Sequence, residues 1–240
     1  MKKYIYQTLV LIGCFVSYSA FSDVCQQGDK THIWISPRVV KEGEPVNVMA
    51  VSSSQALTEL VLTLPNGEKQ LLKTSANDGL PHYLSAQIDK IGDGHYQLEV
   101  KDKNETLACR EISNGNNGKK ESSVWNDDYE AFYSAWIERL FDSPVSENLS
   151  FPSLEPVLRN PERNFLHNYL SLNEDKGVHA TPDCADFPYF YAAILHGKMV
   201  CHSVFGVVIA AQQKSLHPVL LPLFTLILST RLRHWLPLKP

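Results

Sequence analysis

Acidic residues stop abruptly in this chain. All 26 Asp and Glu lie before Ile194, and the stretch from Ile194 to Pro240 has none, nor any Asn or Tyr, while carrying five Lys or Arg. A soluble surface intersperses both charge signs. At the density of the preceding body, about six acidic residues are expected in a segment of that length. The break confines an ordinary globular fold to residues 1–193 and marks 194–240, rich in Leu and Pro, as an atypical and irregular tail.

The N-terminus reads as an export signal. Lys2 and Lys3 precede an apolar stretch from Tyr4 to Val16, and Ala20 and Ser22 are small residues at −3 and −1 of a cut before Asp23. That stretch is shorter than the roughly 20 residues a spanning helix needs. A rival reading takes Leu11-Ile12-Gly13-Cys14 as a lipoprotein site with Cys14 lipidated, against which Phe15-Val16 make an apolar start for a mature chain. The expected location is the periplasm or cell envelope.

Cleavage after Ser22 leaves Cys25, Cys109, Cys184 and Cys201 in a compartment where disulfides form. Residues 23–193 hold 15 Lys/Arg against 26 Asp/Glu. That acidity is expected to exclude nucleic acid, whose phosphates are bound by basic surface, and to disfavour docking on anionic lipid. No metal or other cofactor is expected.

From 23 to 112 the pattern is strand and turn. Short runs at His32–Ser36, Pro45–Val51, Glu59–Leu64, Lys69–Thr74, Tyr83–Ile88, Tyr96–Val100 and Thr106–Cys109 are separated by Glu-Gly-Glu-Pro, Pro65-Asn66-Gly67, Asn77-Asp78-Gly79 and Gly92-Asp93-Gly94. Asn-Gly and Asp-Gly pairs supply the positive φ of tight turns. Alternation at Val46/Val48/Ala50 and Leu60/Leu62/Leu64 predicts one inward face per strand. Seven short strands at this spacing predict an immunoglobulin-like β-sandwich, and Gly94-His95-Tyr96-Gln97-Leu98 resembles a tyrosine corner. Cys25 and Cys109 flank the first and last strands. A disulfide between them staples the domain's ends, with two free thiols as the alternative. His32, His82 and His95 read as isolated surface or core residues.

Residues 113–123 contain no apolar side chain and are expected to be a flexible linker. Beyond it, 124–193 is helical. Tyr129, Phe132, Tyr133, Trp136, Ile137, Leu140 and Phe141 fall on one helix face, with Asn126-Asp127-Asp128 at its start and Ser143-Pro144 at its end. A second helix is predicted from Asn160-Pro161-Glu162, burying Phe165, Leu166, Tyr169 and Leu170.

The chemistry-bearing segment is Thr181-Pro182-Asp183-Cys184-Ala185-Asp186-Phe187-Pro188. A Thr cap with Pro behind it puts Cys184 in the first helical turn, where backbone N–H groups and the helix dipole favour thiolate. Pro188 offers a second placement, with Asp186 as cap and Cys184 on the loop before it. Asp183 and Asp186 oppose thiolate formation by like charge. Other readings are a disulfide to Cys201 and an inert structural thiol.

Asp183-Cys184-Ala185-Asp186-Phe187 resembles the Asp-Cys-small-x-apolar hallmark of the NlpC-type papain-like cysteine peptidases of bacterial cell walls. The resemblance implies Cys184 as nucleophile, a papain-like α+β domain of which 124–193 is the helical part, and cleavage of amide bonds in peptidoglycan stem peptides. It covers some 15 residues. A downstream His is then required as base, and His196, His202, His217 and His234 all lie in the atypical tail. Read one nucleotide back, permitted codons for 196–203 can spell Trp-Lys-Asn-Gly-Leu-Pro-Phe, the helix ending this motif calls for. A frameshift near Ala193 is therefore the expectation, leaving a truncated and inactive hydrolase. The rival readings are a non-enzymatic envelope binding module, with peptidoglycan or an envelope protein as partner, and a membrane-associated protein held by its tail.

Overall fold

A computed structural model describes residues 25–77, 79–117, 125–144, 146, 153–178, 181 and 187–199. The leader, Cys14 and everything from 200 onward lie outside the described residues. Among the described residues the architecture is β+α, with two antiparallel four-stranded sheets and three helices. One sheet takes β1 (Thr31–Ser36), β3 (Val46–Ser52), β7 (His82–Ile88) and β6 (Ser75–Ala76), in that order. The other takes β5 (Lys69–Leu71), β4 (Glu59–Thr63), β8 (His95–Asp102) and β9 (Glu105–Ser113). A short ladder joins β2 (Val39–Val40) to β10 (Gly115–Asn116). The helices are α1 (Asp127–Phe141), α2 (Glu155–Leu158) and α3 (Phe187–Met199), with a 3-10 turn at Glu174–Gly177.

The two sheets face each other across an aliphatic core. Ile33, Ile35, Val46, Val48, Ala50, Leu84 and Ala86 come from the first sheet, and Leu60, Leu62, Leu98, Val100, Ala108 and Ile112 from the second. Gly43, Gly67 and Gly94 take positive φ in their turns, whereas Gly79 of the expected Asp-Gly turn does not. Gly94 is also fixed by space, since a Cβ there would come within 2.7 Å of the Pro65 ring. At the start of β8 the Tyr96 hydroxyl accepts a hydrogen bond from Gly92 N–H at 3.0 Å, tying the strand to backbone four residues upstream. Cys25 and Cys109 are joined by a disulfide across a separation of 84 residues. Closing a loop of that size contributes about 4.6 kcal/mol on the chain-entropy model.

Three local expectations are corrected. The run read as one strand at Lys69–Thr74 divides: β5 pairs with β4 while β6 pairs with β7, so the chain changes sheets between Leu71 and Ser75. The polar stretch beginning at residue 113 is structured as far as Asn117. Ser113 ends β9, β10 pairs with β2, and the Asn117 carboxamide bonds the backbone of Ser113 and Gly115. Polar side chains do not prevent β pairing when backbone and amide groups complete it; residues 118–123 lie outside the described residues. Alternation is the third. Val46, Val48 and Ala50 face the sandwich core as expected, but Met49 and Val51 on the opposite face are just as buried, at 0% and 3% exposure.

The cause is α1, which lies on the outer face of the β1-β3-β7 sheet. Trp34 on β1 stacks on Phe132 of α1 with ring centroids 4.5 Å apart, and Tyr129 packs beside them at 5.3 Å. Met49, Val51 and Tyr83 join the same cluster as Trp136, Leu140, Phe165 and Leu166. Polar contacts rim this interface: Asn77 donates to Glu138, Arg139 donates to Ser75, and Arg38 N–H donates to the Tyr169 carbonyl. Over β1, β3 and β7 the first sheet is thus packed on both faces.

Candidate functional site

The described elements around the cysteine motif are α1, α3 and the winding segment between them. Helix α1 begins as its sequence dictates, with the Asn126 side chain accepting from Tyr129 N–H at 3.0 Å and three acidic residues in the first turn. Its apolar stripe turns Phe132 toward the sheet and Trp136 toward α3. The Trp136 indole meets Tyr191 edge-to-face at 5.6 Å and donates to the buried Asn164 side chain at 3.0 Å.

Asn164 also explains why no helix forms from Asn160, another correction. The Asn160 side chain does cap, accepting from Glu162 and Arg163 N–H. Four residues on, however, Asn164 Oδ1 takes the Leu166 N–H, while its amide donates to the Leu158 carbonyl. A short polar side chain that captures backbone groups competes with helix continuation. The chain then winds through left-handed conformations at Asn168, Ser171 and Asn173. Phe165, Leu166 and Tyr169 are still buried, as expected, while Leu170 is only partly buried.

That winding segment is fastened from inside. Glu174 accepts from Leu170 N–H at 3.0 Å and Leu172 N–H at 3.3 Å, while Asp175 accepts from Asn168 N–H at 2.6 Å. Both carboxylates reach Lys198 of α3: its Nζ lies 3.0 Å from Glu174, 2.7 Å from Asp175 and 2.7 Å from the Leu166 carbonyl. Lys198 is fully buried. Burial alone would raise the Glu174 carboxyl, but the Lys198 ammonium and the Leu170 N–H outweigh it and hold the group below the usual carboxylate range. Lys198 lies beyond the composition break at Ile194. Helix α3 crosses that break without interruption, with Ile194, Leu195 and Met199 buried.

Asp183, Cys184 and Asp186 lie outside the described residues, as does Cys201. As described, α3 opens at Phe187 with Pro188 second, a first-turn position where a missing N–H costs little. Its opening turn is held against α1, since the Tyr133 hydroxyl donates to the Pro188 carbonyl at 3.0 Å and Phe187 packs on Tyr191 and Phe141. Burial, with Glu130 adding to it, pushes the Tyr133 phenol up to about 12. Burial likewise raises Tyr191, whose hydroxyl has no hydrogen-bond partner among the described residues. His196 sits nine residues after Phe187 on the same helix, hence about 13 Å along its axis at 1.5 Å per residue. His202, His217 and His234 lie outside the described residues.

A second feature escapes sequence reasoning. His32 of β1 is paired with Asp128 of α1, Nδ1 to Oδ1 at 3.3 Å. Burial lowers the imidazole pKa below its ordinary 6.5, against the opposing pull of Asp128 and Asp29. The pair joins positions 96 residues apart, and no local pattern announces it. Nearby, Asp29, Lys30 and Leu80 of the sandwich and Trp125, Asp127 and Glu130 at the start of α1 border an open groove. The Trp125 indole donates to Glu130 at 2.6 Å. Among the described residues there is no cluster of three or more His, Cys, Asp or Glu placed to hold a metal ion, and no helix long and apolar enough to cross a membrane.

No family model and no curated protein matches this chain. Among solved structures it is similar to Pseudomonas fluorescens alkylpurine DNA glycosylase AlkC bound to DNA containing an abasic site analog. The match has 21% identity and a TM-score of 0.24, and covers 35% of this chain and 29% of that chain. The exclusion of nucleic acid drawn from net acidity is corrected accordingly. Net charge does not report the potential of a local surface. The exclusion is withdrawn, and at that TM-score the likeness assigns no partner in its place.

Proposed function

We propose that this is an exported cell-envelope protein in which an immunoglobulin-like sandwich carries the helical part of a papain-like cysteine hydrolase, with Cys184 in the nucleophile position. Two features support the immunoglobulin-like reading. The strand orders β1-β3-β7-β6 and β5-β4-β8-β9 correspond to A-B-E-D facing C′-C-F-G, and Tyr96 makes the tyrosine-corner bond. The observation that carries the hydrolase reading is the seating of α3. Its first described residue, Phe187, is three positions after Cys184, and its opening turn is fixed to α1 by the Tyr133 hydroxyl and the Phe187–Tyr191 contact. Backbone N–H groups and the dipole at a helix N-terminus favour thiolate over thiol in a cysteine placed there.

In this reading no histidine is paired with the thiol as its base, and the chain has little or no turnover. Iodoacetamide labelling of a Cys201→Ser variant, followed over pH at Cys184, tests the reading. The expected midpoint lies below about 8.5, the value of an ordinary cysteine, with no hydrolysis of stem-peptide amides. A midpoint at or above that value removes the nucleophile assignment. Measurable turnover abolished by Cys184→Ser would instead refute the inactivity.

A further inference from the structure

We draw no further inference here: the strongest candidate, the groove bordered by Trp125, Asp127 and Glu130 where the start of α1 meets the sandwich, is an acidic cluster at a helix N-terminus, and nothing in the structure shows what covers it.

Discussion

Lys198 stands at the centre of the least replaceable contact in the helical half. Its ammonium meets Glu174, Asp175 and the Leu166 carbonyl with no exposed surface. Replacing it with Met leaves two carboxylates buried without their cation. We expect Lys198→Met to destabilise the protein by about 3–5 kcal/mol in urea unfolding; a loss under about 1 kcal/mol, the worth of a solvated surface pair, would show that water reaches these groups. Glu174 adds an acid limit. Its folded pKa is depressed, so its contribution is complete above the unfolded carboxylate value and declines as pH falls through the folded one. His32 behaves oppositely to a histidine that gains from pairing. Its folded pKa is depressed, so the neutral form is favoured by folding. That contribution is complete above pH 6.5 and is lost as pH drops below it, until the folded pKa is passed. In unfolding experiments between pH 5 and 7.5, His32→Asn is expected to flatten the slope (about 5 and 7.5 bracket the ordinary imidazole range). An unchanged slope would place the pH dependence elsewhere.

Among the elements, α1 is the one whose outline and role separate most clearly. Asn126 as cap, the apolar stripe and the stop before Ser143-Pro144 are written locally, and the helix spans Asp127–Phe141 accordingly. What the stripe rests on is not local. Phe132 is fully buried against Trp34 of β1, 98 positions earlier, so its removal opens a cavity between helix and sheet. Phe132→Ala is expected to cost about 3–5 kcal/mol. The loss should appear in the same cooperative transition that reports Trp34 fluorescence. A transition in which the sandwich melts as in the parent protein would mean that the two layers are energetically separate. The segment after Asn160 shows the converse failure of local signals. Cap, proline and acidic first turn are all present, and no helix forms because the Asn164 side chain is committed to Trp136, Leu158 and Leu166. Nothing in the spacing distinguishes an Asn that will face water from one buried at 0% exposure.

At the scale of the whole molecule, two cores share one sheet. The first sheet closes the sandwich with Ile33, Val48 and Leu84, and it seats the helices with Trp34, Met49 and Tyr83. A chain ending after Asn117 would keep every strand and its disulfide but expose Trp34, Met49, Val51 and Tyr83 as one apolar patch. We expect that fragment to bind a hydrophobic dye and to self-associate, because contiguous apolar patches of several hundred Å² are uncommon on soluble monomers. A monomeric, dye-silent fragment would show that the sandwich stands alone.

By itself the sequence determined what short-range chemistry controls. That covers most of the strands, the positive φ of Gly67 and Gly94, the Cys25–Cys109 pairing, the Tyr96 bond and the limits of α1. Each depends on a backbone preference or on a pattern readable within a few residues. Tertiary structure alone decided that Met49 and Val51 are core, that Asn164 is an internal hub, that Lys198 is an anchor, and that the fold continues past Ile194 to Met199. The physical reason is common to all four. A residue is buried, or a charge compensated, only by groups that the chain brings together from distant positions, and burial is a property of that assembly rather than of any window of sequence.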